Sequence, residues 1–207
     1  MTTAIRCDII LFVNSGRFRN VIRSPVRQGV KTMQIKTQIM DELAVRRAMT
    51  RISYEIIERS QDISNVVLVG IKTRGVPLAE TIRSHVEVNT GVRLPLYELD
   101  ITHYRDDLNR EIEVKREPDK TFNVTGKDVI LVDDVLFTGR TTRAAIDAIF
   151  AAGRASSIRL AVLVDRGHRE LPVRADFVGK NVPSSLKEEI VVKVESVDGE
   201  TSVAIYE

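Results

Sequence analysis

Asp133 and Asp134 stand side by side behind the apolar run 129–132, and a polar turn, Thr138-Gly139-Arg140-Thr141-Thr142, follows shortly after. Four apolar residues predict a short buried strand with the acids at its end, and a helix is predicted from about Arg143 to Ala152. Backbone N–H groups at a helix N-terminus lack intrahelical partners, and the helix dipole there favours an anion. Gly139 lets the backbone approach a phosphate, and Thr138, Thr141 and Thr142 add hydroxyl donors. Carboxylates would repel that phosphate. They suit ribose hydroxyls or a cation carried by the ligand. The combination describes a site for a ribose 5-phosphate, against the plainer alternative of a threonine-capped loop. It is neither a Walker A loop nor Gly-x-Gly-x-x-Gly.

Two further polar loops accompany it. Gly70-Ile71-Lys72-Thr73-Arg74-Gly75 follows the apolar run 66–69, and Asp165-Arg166-Gly167-His168-Arg169-Glu170 follows 158–164. Between them the chain alternates helix and strand. Asp41 is the predicted N-cap of a helix reaching about Arg59, with Val45, Ala48, Met49, Ile52 and Ile56 at helical spacing. Pro77 suits the first turn of a second helix, to about Val88. Residues 94–101 read as a strand, 103–119 as a charged loop or hairpin, and 191–206 as short terminal strands. Alternating strands and helices predict an α/β fold with a central, mostly parallel sheet flanked by helices. Ligands bind such sheets outside the carboxyl ends of the strands, where the three polar loops would converge.

The chain has 207 residues, 43% hydrophobic and 29% charged, enough for one domain with a sizeable core. No apolar run approaches the ~20 residues that span a bilayer, so no membrane partner is expected. The single cysteine, Cys7, excludes a disulfide framework and a cysteine metal site, and fits a reducing, cytoplasmic setting. Net charge is +2, unevenly spread: residues 1–32 hold six basic side chains against Asp8, giving +5. The remaining residues hold 25 basic and 28 acidic side chains, giving −3, so nucleic acid would need a local patch. Residues 1–32 read as an irregular leader, and 33–207 as a single domain. The codons of Gln28-Gly29-Val30 can spell AAGGAGU, a ribosome-binding sequence ahead of Met33. Met33 is therefore the hypothesised natural start, and N-terminal sequencing showing Met1 or Thr2 would overturn it.

The signature at 128–142 resembles that of type I phosphoribosyltransferases, which bind phosphoribosyl pyrophosphate (PRPP). With the segments 68–75, 100–108 and 163–172 it resembles the PyrR family, bacterial regulators that bind pyr mRNA and have uracil phosphoribosyltransferase activity. The resemblance runs from about Thr37 to Glu207 and implies the type I phosphoribosyltransferase fold with a small hood. It implies that Asp133 and Asp134 are the ribose-hydroxyl acids. Val135, Leu136, Phe137, Thr138, Gly139, Arg140 and Thr141 would form the 5-phosphate loop. Lys72, Thr73 and Arg74 would form the pyrophosphate loop, with a non-proline cis peptide. Arg105 would belong to the loop that closes over PRPP, Arg166 to the uracil side, and a residue near Ile190 would pack on the base. For Lys72, Arg74 and Arg105 a merely solvated charged loop is the competing account. The implied reaction converts uracil and PRPP to UMP and diphosphate, with Mg²⁺ carried by PRPP and no resident metal site. A homodimer or higher homo-oligomer is also implied.

On the first helix, Arg47, Thr50, Arg51 and Tyr54 fall on one face opposite the apolar stripe. Such a face can meet phosphates and stack an unpaired base. It can equally be a solvated face. Thr50 and Arg51 match the family's RNA-contact positions, as do His168, Arg169 and Arg174. Tyr54 replaces a histidine found in some members, which keeps stacking but loses a titratable contact. His168 and Arg169 could serve the nucleotide site, the RNA face or both. Three readings compete: a UMP-sensing attenuator that binds pyr operon leader mRNA and is also an enzyme, a salvage phosphoribosyltransferase without RNA binding, and a regulator without turnover.

Overall fold

The computed structural model describes residues 34–102 and 123–207. Residues 1–32 and Arg105, with the expectations attached to them, lie outside the described residues. In chain order the elements are β1 (Ile35–Met40), α1 (Glu42–Arg59), β2 (Val66–Ile71), α2 (Gly75–Thr90), β3 (Leu96–Leu99), β4 (Asp128–Leu136), α3 (Arg140–Ala152), β5 (Ser157–Asp165), β6 (Phe177–Asn181), β7 (Glu189–Lys193), α4 (Glu195–Asp198) and β8 (Ser202–Tyr206). A short 3-10 turn, Ile63–Asn65, precedes β2. β3-β2-β4-β5-β6 form a parallel sheet, and β1-β8-β7 form a small antiparallel hood.

Local chemistry accounts for most of these elements. β2 is buried along its whole length, as a central parallel strand covered on both faces should be. Asp41 caps α1 by accepting from the Ala44 N–H at 2.7 Å, and Val45, Met49, Ile52 and Ile56 are buried along one stripe. Alternate strand residues feed two cores. Leu68, Ile130, Val132, Ala161 and Leu163 pack with α1, α2 and the hood residues Val192 and Val203. Val67, Val69, Val129, Leu131 and Val162 pack with Ala145, Ala148 and Ile149 of α3.

Five elements differ from the sequence expectation. β4 does not stop before the acids but runs through Asp133 and Asp134 to Leu136, because its ladder to β5 continues as far as Leu136 opposite Asp165. α3 starts at Arg140, not near Arg143, since Gly139 takes a left-handed φ of 92° and turns the chain into the helix early. α2 extends beyond both expected ends, and β3 is shorter than 94–101. β1 was not expected at all. Its residues are mostly exposed, and it is a strand because it pairs with the far end of the chain, Ile35 opposite Tyr206.

The sheet order sets the cleft. From β2 the crossover through α2 leads outward to β3, whereas from β4 the crossover through α3 leads the other way to β5. β2 and β4 therefore flank the switch point where ligands bind. β2 pairs with β4 only as far as Gly70 opposite Val132, so Asp133 and the residues after it have lost that neighbour. The loop between β2 and α2 is held close to β4. A Cβ on Gly75 would lie 2.4 Å from the Val132 carbonyl oxygen, and one on Gly70 would lie 2.7 Å from Val76 Cα. Gly75→Ala is expected to destabilise the fold by about 1–3 kcal/mol in urea unfolding, because backbone atoms would have to move. An unchanged midpoint would contradict this close approach.

Candidate functional site

Beyond the end of β2, the acids of β4 face a cleft of about 440 Å³. Ile71, Lys72, Thr73, Arg74, Asp100, Ile101, Thr102, Asp133, Asp134, Val135 and Thr141 line it. Asp133 is buried, and Asp134 is half-buried. Asp133 Oδ1 accepts from the Asp134 N–H at 2.9 Å, and Asp134 Oδ1 from the Val135 N–H at 2.8 Å. Burial, with the Asp134 charge beside it, pushes the Asp133 carboxyl well above the usual carboxylate range. Hydroxyl donors or a cation in the cleft would relieve both effects.

Thr141 brings the start of α3 to the same cleft. The α3 N-cap, Gly139, supplies no side-chain cap, unlike Asp41 of α1. Its first turn therefore keeps backbone donors for an anion. Arg140 is turned to the surface, paired with Glu170 at 2.7 Å. The Thr138 carbonyl accepts from the Glu170 and Leu171 N–H groups, which ties the loop to the segment after β5.

The pyrophosphate-type loop enters from the opposite side. Its Lys72–Thr73 peptide bond is cis, as the resemblance implied. Lys72 is exposed and lies 3.3 Å from Glu98. Arg74 donates through Nε and Nη2 to both oxygens of Asp198, at 3.0 and 2.8 Å. That hydrogen-bonded pairing holds Arg74 above its ordinary value, with Asp134 adding a weaker push, and holds Asp198 below the carboxylate range. Asp100, Thr102 and Asp198 were not singled out from sequence as site residues. Asp100 and Thr102 lay within a quoted motif, and an Asx-type turn links them, Thr102 N–H and Oγ1 donating to Asp100 Oδ1. Asp198 precedes Gly199 in an ordinary turn, with no sequence signal of its reach.

Four expected site residues serve the scaffold in this arrangement. Arg166 is buried, its guanidinium 3.9 Å over the Phe137 ring. It donates to Ser184 Oγ, the Ser185 carbonyl and the Glu188 carbonyl, so its side chain holds the 184–188 loop. Burial lowers its pKa from the arginine value, only partly offset by Glu189 and Glu188. Arg169, a candidate for RNA contact, is turned inward instead. It donates to the carbonyls of Leu136, Phe137, Gly167 and Val173 and pairs with Asp165. His168, with φ of 59°, sets its ring nitrogen against the Ser184 carbonyl and its edge toward Phe137, 6.0 Å between centroids. Ile190 is buried in the hood, packed in the first core cluster, and does not line the cleft.

The α1 face assembles as expected. Arg46, Arg47, Thr50, Arg51, Tyr54, Glu55 and Glu58 line a shallow groove of about 480 Å³. The Tyr54 hydroxyl donates to Asn89 Oδ1 at 3.0 Å. Arg51 also borders a second groove, of about 540 Å³, with Arg174, Lys180 and Asn181. Its guanidinium donates to the Val178 and Gly179 carbonyls at 2.8 and 2.6 Å. Arg174 thus joins the α1 face, whereas His168 and Arg169 join the turn after β4 at Leu136 and Phe137. No helix among the described residues is long and apolar enough to cross a membrane.

A cleft at the switch point of a parallel sheet, with paired acids and a phosphate-type helix start, defines the class. Residues 36–197 match the model of the phosphoribosyl transferase domain family. A hypoxanthine phosphoribosyltransferase from Staphylococcus aureus superposes with a TM-score of 0.66 at 18% identity, covering 84% of this chain and 92% of that one. A hypoxanthine-guanine phosphoribosyltransferase from Bacillus anthracis does so with 0.64 at 19%, covering 84% and 99%. Both share the fold. Two curated relatives are named Bifunctional protein PyrR. That of Clostridioides difficile is 58% identical over 175 residues, 83% of this chain and 98% of the relative, and that of Streptococcus uberis is 55% identical over 172 residues with the same coverage. The chain belongs to the PyrR family of phosphoribosyltransferase-domain proteins.

The Asp133 environment fixes a pH dependence. The folded protein holds this proton to higher pH than the unfolded chain does. Its contribution to stability is therefore present at acid pH and lost as pH rises through the folded pKa. Asp133→Asn removes that loss, so its stability relative to the parent protein is expected to rise between acid and neutral pH. Urea unfolding across a pH series measures this, and a pH-independent difference would contradict it.

Proposed function

We propose that this chain converts uracil and PRPP to UMP and diphosphate. We propose also that it binds pyr operon leader mRNA in a uridine-nucleotide-dependent way, acting as a transcriptional attenuator. The observation that supports the first activity is the convergence of Asp133 and Asp134, Thr141 at the start of α3, and Lys72, Thr73 and Arg74 on one cleft. Uracil N1 attacks ribose C1, the bond from C1 to the pyrophosphate oxygen breaks, and the N1 proton is released to solvent. Positive charge builds on the ribose ring, and negative charge on the leaving group. Lys72 and Arg74 face that negative charge. Asp133 and Asp134 accept from the ribose hydroxyls and hold the ring in place. The first turn of α3 and the threonine hydroxyls hold the 5-phosphate. Two acids, one of them buried, also suit Mg²⁺ carried with PRPP, which would supply further charge neutralisation at the pyrophosphate. Arg166 supports the uracil side by fixing the loop at 184–188.

For RNA, the supporting observation is the exposed face Arg47-Thr50-Arg51-Tyr54, continued by Arg174 and Lys180 around Arg51. Stacking on Tyr54 and phosphate contacts from the arginines favour an unpaired loop over a duplex. The salvage reading, without RNA, draws on one observation: Arg51 already has internal carbonyl acceptors. Arg47→Ala and Arg174→Ala separate the two. Each is expected to weaken binding of the operon's leader RNA and reduce the salt slope by about 1, with uracil-dependent pyrophosphate release retained. Release of pyrophosphate with hypoxanthine but not uracil would overturn the base assignment. RNA binding no better than a scrambled control would leave the salvage enzyme.

A further inference from the structure

Arg74 lies on the loop after β2, and Asp198 lies in the hood, on the short connection between β7 and β8. The carboxylate is built into its place. Besides Arg74, Asp198 Oδ2 accepts from the Val194 N–H at 2.9 Å. Its side chain is 16% exposed, and that of Arg74 36%. The contact with Arg74 is side-on, using Nε and Nη2. A guanidinium has a second fork, between Nη1 and Nη2, which this clamp leaves for another oxyanion. Arg74 also lines the cleft beside Thr73 and Asp134.

We propose that Asp198 is a positioning residue for the transferase reaction, a hood carboxylate that clamps one edge of Arg74 so that the other edge meets the pyrophosphate of PRPP. This rests on the reading of the cleft as a PRPP site. An arginine side chain free to sample its rotamers loses that freedom when it binds an anion. The clamp removes most of the loss in advance, which is preorganisation. It also means that the hood, through one ion pair, sets the geometry of a loop belonging to the other sheet. Asp198 itself touches neither ribose nor base.

Asp198→Asn keeps an oxygen for the Val194 N–H and removes the charge, so it isolates the clamp from the turn. Steady-state kinetics of the full chain, with PRPP and uracil varied separately, are expected to show KM for PRPP raised about tenfold. KM for uracil should stay within about twofold. Calorimetric binding of inorganic pyrophosphate should weaken in parallel, while leader-RNA affinity without nucleotide and the melting temperature hold. Asp198→Glu, which retains a carboxylate, should recover part of the PRPP affinity. An active parent enzyme whose PRPP affinity is unchanged or improved by Asp198→Asn overturns the clamp and leaves the PRPP reading intact. Equal losses for uracil, pyrophosphate and RNA with a lower melting temperature also overturn it, assigning Asp198 to folding. A parent protein that neither turns over PRPP nor binds pyrophosphate overturns both.

Discussion

The buried carboxyl of Asp133, pressed against Asp134 at the end of β4, constrains everything around it. A carboxylate taken out of water beside another acid is unfavourable, and among the described residues no basic side chain is hydrogen-bonded to it. A fold keeps such a group where a ligand completes it. The sheet explains why the pair can sit there. β4 continues along β5 after β2 has turned away, so the acids retain backbone pairing on one side and gain a cleft on the other. The glycines at 70 and 75 let α2 lie directly against that edge. The start of α3 then brings donors for a phosphate to the same space. Each of these arrangements places opposite chemistry around one small volume, which is what the proposed phosphorylated ribose requires.

Segment 165–174 joins this cleft to the surface beyond it. Arg166 and His168 flank Phe137, and Arg169 gathers the carbonyls of Leu136 and Phe137. The same segment ends at Arg174, which shares a groove with Arg51 of α1. Under the proposed function, a nucleotide that rearranged the turn after β4 would therefore press on the residues that carry Arg174. Such a connection links two sites only if each ligand prefers one arrangement. Arg169 brackets the turn after β4 through its internal carbonyl acceptors.

Much of this was legible in the sequence, for reasons that differ by element. The α1 face was readable because helical spacing is local, and Val45, Met49, Ile52 and Ile56 define the buried side. The meeting of the loops at 70–75 and 133–142 was readable because alternating βα units permit few topologies, whereas 165–170, expected in the same cleft, does not line it and braces the turn after β4 instead. The hood strand β1 was not, since its partner β8 lies at the other end of the chain and its own burial pattern is weak. The same limit hid Asp198, whose role depends on one long-range contact with Arg74. Arg166 and Arg169 were placed near the right loop, but their inward orientation depends on carbonyls supplied by residues distant in sequence. The acids were expected after a strand and lie within one, because a ladder to β5 outlasts the apolar run.

The proposed nucleotide cleft and the proposed RNA face are joined by segment 165–174. Linkage is reciprocal, which makes it measurable from either side. The most direct test is the affinity of the protein for UMP, determined by calorimetry with and without saturating leader RNA, beside the affinity for RNA with and without saturating UMP. The account predicts that each ligand tightens the other, and by the same factor. UMP affinity indifferent to RNA, with both ligands bound, would contradict it.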